Sequence, residues 1–228
     1  REIGCVMSGI TVALWEPGQV SRGGKPGRDT GHAVFRVGEL HGRVTHRVQE
    51  VSDILNSIDG SRPTQNIWGE RWSKLTTNAS SNPVGAMTGW GSLDVAGDNA
   101  ARLIQIHICK ESVQVAMAAN FDVEPIKGVD ASIWARADEG EIFEELDAKF
   151  RPNSNAINWK SSMAQDVVKG RRTEIDYMNG HIVKEGRRVN VATPVNAAVL
   201  RVVKEIDLGI RTPAPANISE ILVMTDLS

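Results

Sequence analysis

Two cysteines, Cys5 and Cys109, are all that the 228 residues contain. So far apart in sequence, they supply neither a disulfide framework nor a metal knuckle, and a reducing, cytoplasmic compartment is the default expectation. The histidines do not pair at metal spacing: His41 and His46 miss the i, i+4 face of a helix. No uninterrupted apolar run approaches the roughly 18 residues a membrane helix needs. Neither sign of charge prevails, with 26 Lys plus Arg against 28 Asp plus Glu, a formal net charge of −2 and a pI near 6.3. That balance argues against a nucleic acid or an anionic membrane as the main partner. There is no Gly-x-Gly-x-x-Gly and no Gly-x-x-x-x-Gly-Lys-Ser/Thr. The Gly23–Gly31 cluster contains Pro26 and lacks a bracketing buried strand and helix, so no phosphate loop is expected there. Ser161 and Ser162 have neither an elbow motif nor a nearby His, which disfavours a nucleophilic serine. The first residue is Arg1, and no basic start, apolar stretch and small-residue cleavage site follow it.

What is present suits an ordinary folded protein. Hydrophobic residues at 41% and charged residues at 24% are enough apolar material to offset chain entropy. The length fits one generous domain or two small ones, at about 100–200 residues each. The pattern changes near residue 66. Before it, the short apolar runs Ile10–Leu14 and Ala33–Val37 read as two strands, antiparallel in the simplest arrangement. Glu16-Pro17-Gly18 and Arg22–Gly27 mark turns between them. Val44, Val48, Val51, Ile54, Leu55 and Ile58 recur at helical steps, predicting an amphipathic helix over Arg43–Ile58 that Asp59-Gly60 and Pro63 end.

From Trp68 onward the reading is helical. One helix is expected from about Asn66 into Ala79, and a second, too apolar for a wide solvent face, from about Ala96 through Asn120. Phe121–Ile133 is ambiguous. Further helices are expected at Glu139–Phe150, at Ile157–Val168, from the capping pattern Thr173-Glu174-Ile175-Asp176, and from Pro194. Ile175, Met178, Ile182 and Val183 should face inward, as should Val195, Val199, Val202, Val203 and Ile206. The tail after Arg211, with Pro213 and Pro215, reads as an exposed arm.

Two polar constellations stand out. Lys74, Asn78 and Asn82 are each four residues apart and drift only ~40° per step, so they share a helix face beside Trp68, Trp72 and Leu75. An ammonium and two carboxamides next to apolar walls suit a small carboxylate or carbonyl substrate. From spacing alone the solvated outer face is the simpler reading. The second constellation is Trp159–Asp166 followed by Gly170–Asp176, in which Ser162 and Asp166 share a face and Glu174 falls in a first helical turn. Here, too, a structural reading is simpler: Thr173 caps, and Glu174 and Asp176 complement the helix dipole.

Together these segments resemble the ketopantoate reductase (2-dehydropantoate 2-reductase) family. The resemblance rests on Trp72–Pro83, Ser161–Asp166, Arg172–Gly180 and Thr193-Pro194-Val195-Asn196, in the family's order and separations. It implies an α+β chain, mostly α. Residues 1–66 would be the last strands and helix of a Rossmann-like domain, and 67–228 an all-helical substrate and dimerisation domain. It implies NADPH as cofactor, a small 2-oxo acid as substrate and a homodimer. By resemblance Lys74 binds and polarises the ketone oxygen and Glu174 is the general acid. Asn78, Asn82 and Ser162 hold the substrate's carboxylate and hydroxyl end, and Asp166 supports them from behind. The family's Gly-rich fingerprint and phosphate-binding basic residues have no counterpart here. The expectation is therefore a C-terminal portion of a longer reductase, which alone binds NADPH poorly and turns over nothing. Reduction of another 2-oxo acid, or a non-catalytic helical module for dimerisation or ligand binding, are the competing readings.

Overall fold

A computed structural model of the chain describes residues 2–23, 26–152 and 157–227. The chain divides into two compact units, Arg1–Lys74 and Leu75–Ser228. It is α+β and mostly α, in line with the expectation.

The first unit contains β1 (Ile3–Met7), β2 (Thr11–Glu16), β3 (Gln19–Gly23), a 3-10 turn (Gly27–Thr30), β4 (Phe35–Glu39), α1 (His46–Asn56) and β5 (Ser61–Pro63), and it ends within α2 (Ile67–Thr88). Its sheet has the order β1-β4-β5. β1 is antiparallel to β4, with Cys5 opposite Val37, and β5 is parallel to β4, with Phe35 opposite Ser61. Parallel neighbours need a crossover connection, and α1 supplies it. Val37 and Val34 are fully buried.

The two expected strands exist but do not pair with each other. Ile10–Leu14 falls mostly in β2, whose partner is β3, while Ala33–Val37 falls largely in β4, between β1 and β5. The reason is the turn at Pro17-Gly18. Gly18 takes φ +81, where a side chain would strain the backbone, and the chain folds straight back on itself. Gly24 and Lys25 of the second expected turn lie outside the described residues. The α1 helix is shorter than its apolar spacing suggests, starting where the Thr45 hydroxyl accepts from the Val48 N–H at 3.4 Å. Val48 is fully buried, whereas Val44, Ile54 and Ile58 of the same stripe are exposed.

The second unit takes the rest of α2 and then α3 (Ser92–Gly97), α4 (Asn99–Ala118), α5 (Ala131–Trp134), α6 (Gly140–Ala148), α7 (Ser162–Val168), α8 (Asn179–Val189), α9 (Pro194–Asp207) and α10 (Ala216–Thr225). α4 is its axis, touching α3, α5, α6, α8, α9 and α10. Ile104, Ile106, Ile108, Val113 and Val115 are fully buried. The apolar character of α4 is thus used inside the unit and gives no argument for a second copy. The inward stripes expected on α8 and α9 are buried throughout.

Several boundaries differ from the sequence reading, each for a local reason. The single helix expected from Ala96 is two, broken at Asp98, whose carboxylate caps α4 by accepting from the Ala101 N–H at 2.7 Å. Ile157–Lys160 is not helical. Instead it lies along the start of α3, where the Ser92 N–H donates to the Trp159 carbonyl (2.8 Å) and the Leu93 N–H to Asn158 Oδ1 (3.0 Å). Gly91 leaves room for the Asn158 amide, which a Cβ there would push aside. Thr173 does not open a long helix: its hydroxyl donates to Asp207 (2.8 Å), and a 3-10 turn (Ile175–Tyr177) precedes α8. The tail is no arm. α10 packs on α4 and α9 with Ile218 and Ile221 buried, and the Asn217 amide donates to the Met87 carbonyl at 2.8 Å. No helix among the described residues is long and apolar enough to cross a membrane.

Candidate substrate site

The polar strip lies on α2, a helix that does not stop at Ala79 but runs through Pro83 to Thr88. A proline inside a helix has no N–H for the carbonyl four residues back, here that of Ala79, which is fully buried. The orphaned carbonyl is taken by the Asn179 side-chain amide at 3.2 Å. The same amide donates to Asn196 Oδ1 at 3.0 Å, and Asn196 Nδ2 donates to Glu111 at 2.7 Å. Glu111, from α4, also accepts from the backbone N–H groups of Val195 (2.8 Å) and Asn196 (2.9 Å). It therefore caps α9, whose own Thr193 makes no side-chain cap. Burial pushes the Glu111 carboxyl above its ordinary pKa, against these three hydrogen bonds. Two asparagines of the quoted motifs, Asn179 and Asn196, thus hold helices together. Sequence reasoning missed Glu111, although a lone carboxylate in so apolar a helix was a visible signal.

Within the first unit, Lys74 is half-buried. Burial, followed by the nearby Arg36 charge, holds its ammonium below the ordinary lysine pKa. The amino group makes no hydrogen bond or ion pair among the described residues. Arg36 itself is paired with the buried Glu70 at 3.1 Å, and Glu70 also accepts from Arg62 at 2.9 Å. Trp72 beside the strip is buried, while Trp68 is partly exposed and donates to the Leu40 carbonyl at 3.0 Å.

In the second unit, Asn78 and Asn82 are half-buried and Ser162 is exposed. The structure brings Asn82 and Ser162 together, Asn82 Nδ2 donating to Ser162 Oγ at 3.4 Å. Ser161 makes this possible. Its hydroxyl donates to the Asn82 carbonyl (3.1 Å) and accepts from the Ala164 N–H (3.2 Å), so the residue that caps α7 also ties it to α2. Asp166 is half-buried one turn further along α7. Glu174 is exposed and stands before the 3-10 turn, outside the first turn of α8. Its carboxylate makes no hydrogen bond to Asn82 or Ser162 among the described residues.

These features define first a class: a mostly α chain with a small mixed sheet and a helical unit wrapped around one buried helix. The chain belongs to the family described as ketopantoate reductase PanE/ApbA C terminal, whose model matches residues 66–207. A 2-dehydropantoate 2-reductase of Pyrococcus horikoshii is 28% identical over 160 residues, which is 69% of this chain and 46% of that protein. Among solved structures, a PanE/ApbA family ketopantoate reductase from Ralstonia eutropha shares the fold with a TM-score of 0.66 at 20% identity, covering 91% of this chain and 59% of that one. A D-mandelate dehydrogenase with NADH and anilino(oxo)acetate does so with a TM-score of 0.68 at 21% identity, covering 91% and 60%. The chain spans about half the length of the curated relatives it matches.

Proposed function

We propose that this chain is the substrate half of an NADPH-dependent reductase that converts 2-dehydropantoate (ketopantoate) to pantoate. Residues 1–66 would belong to its Rossmann-like part and 67–228 to its substrate domain. The observation that carries the reading is the pairing of Asn82, on α2, with Ser162, on α7. Reduction adds a hydride to the keto carbon and a proton to the keto oxygen, and a hydride is what NADPH supplies when bound. The described residues offer that cofactor no cradle. The β4–α1–β5 connection carries Leu40–Thr45 in place of a Gly-rich turn, and the Thr45 hydroxyl already occupies the N-terminus of α1.

What this chain's own residues do is bind, polarise and protonate. The Lys74 ammonium stabilises charge that develops on the keto oxygen. The Glu174 carboxylic acid gives that oxygen its proton. Asn78, Asn82 and Ser162 hold the carboxylate and hydroxyl end, with Asp166 behind Ser162. The resemblance to D-mandelate dehydrogenase in fold supports a second reading in which the substrate is another 2-oxo acid. The test is ketopantoate-dependent oxidation of NADPH by the protein as its natural gene encodes it. Saturable turnover, lost in Lys74→Ala and Glu174→Ala variants of unchanged helicity, supports the reading. NADPH binding without turnover of ketopantoate overturns the substrate assignment.

A further inference from the structure

Glu70 stands one turn before Lys74 on α2. A glutamate four residues ahead of a lysine is the spacing, and the order, in which the two pair best along a helix. Here they do not pair. The half-buried Lys74 ammonium makes no ion pair among the described residues, although the Glu70 side chain is only 5% exposed and little water reaches it. The reason lies in the sheet. Arg36 on β4 and Arg62 on β5 stand opposite each other in the parallel register, and like charges set side by side on adjacent strands repel. Both side chains converge on Glu70, which offsets that repulsion. Arg36 Nε lies 3.1 Å from Glu70 Oε2, and Arg62 Nη2 donates to Oε1 at 2.9 Å. Each carboxylate oxygen thus faces a guanidinium, and a guanidinium keeps its charge at any ordinary pH. All four residues belong to the first unit.

We propose that Arg36 and Arg62 are positioning residues for the reduction: they occupy the Glu70 carboxylate, so that the Lys74 ammonium stays unpaired and open to the substrate's keto oxygen. The proposal rests on the reading of Lys74 as the group that polarises that oxygen, and it names what keeps the ammonium available. An ammonium committed to a carboxylate one turn away must give up that ion pair before it can stabilise charge developing on the substrate. Arg36 contributes a second time, since its charge lies near enough to Lys74 to weaken the hold of the amino group on its proton. Arg36, Arg62 and Glu70 act through Lys74 and do not touch the substrate.

The experiment compares the unmodified protein with Arg36→Met/Arg62→Met and with the triple variant that adds Glu70→Gln. In the double variant Glu70 loses both guanidiniums, and Lys74 should pair with it. The triple variant removes the carboxylate and should set Lys74 free again. In the 228-residue chain, NMR titration should show Lys74 keeping its proton to a higher pH in the double variant and returning most of the way in the triple one. In the protein as its natural gene encodes it, kcat/KM for ketopantoate should fall at least about tenfold in the double variant, kcat falling with it. The triple variant should recover to within about threefold of the unmodified enzyme. Should the double variant not fold, Arg62→Met alone takes its place, because Arg36 still pairs with Glu70. Its loss of about threefold should then be restored by adding Glu70→Gln. A Lys74 titration that is the same with and without the arginines overturns the proposal. So does a Glu70→Gln addition that restores no activity, since arginines that only stabilise the fold are not replaced by removing their partner. If Lys74 responds as expected while the unmodified natural protein does not reduce ketopantoate, the substrate assignment falls and the isolation of Lys74 from Glu70 stands.

Discussion

At the scale of single residues, burial sets the chemistry more than spacing does. Lys74 has its ammonium held below the ordinary lysine value chiefly by burial and only secondarily by Arg36. In an NMR titration the Lys74 side chain should therefore lose its proton below pH 10.5. Arg36→Met should recover only the smaller part of that shift. A full recovery would mean that charge, not desolvation, controls the group. Glu39 shows the opposite sign. It is buried under hydrogen bonds from Arg47 and Thr45, which hold its carboxyl down at about 2. A depressed folded pKa stabilises above the unfolded value near 4.5 and is lost as pH falls through about 2. The stability difference between the unmodified chain and Glu39→Gln should therefore be constant above pH 5 and shrink steadily below 4.5. A difference that stays flat down to pH 2 would show that the pairing contributes nothing.

At the scale of elements, the interrupted helix α2 is the instructive one. Pro83 strands the Ala79 carbonyl and Asn179 recovers it. Asn179→Ala should cost about 1–3 kcal/mol, as a buried carbonyl and Asn196 both lose a donor. In a Pro83→Ala background the restored N–H serves Ala79, so the same Asn179→Ala change should cost less. Thermal or urea unfolding of the four species of this double-mutant cycle measures the coupling. Additive costs would separate the two residues. Glu111 is the corresponding device for α9. Glu111→Ala leaves the buried Val195 and Asn196 N–H groups without their acceptor and the Asn196 amide with only the Ile108 carbonyl at 3.4 Å, a loss of roughly 2–3 kcal/mol, read by the same unfolding curves. α8, α9 and their inward stripes were legible because 3.6-residue periodicity encodes which face a helix buries. Where α2 ends and where α7 begins was not legible. Those limits depend on partners distant in sequence, such as Asn179 for Ala79 and the start of α3 for Asn158 and Trp159.

At the scale of the whole molecule, the C-terminal residues belong to the core. Deleting residues 213–228 should expose the surfaces that Ile218 and Ile221 cover and leave the Met87 carbonyl without its Asn217 donor. At about 1.5–3 kcal/mol per buried isoleucine, the truncated chain should unfold at a markedly lower temperature or fail to fold. An exposed arm would have been removed without effect. The sequence by itself determined the mostly α composition, the change of pattern near residue 66, the helical placement of Lys74, Asn78 and Asn82, and the family, because periodicity, turn residues and motif order are local properties of the chain. Tertiary structure alone decided that β2 pairs with β3 and that the tail folds back. It also decided that Asn179, Asn196 and Glu111 bind helices to one another. Each of these depends on which buried polar group finds a partner, and such partners are brought together only by packing.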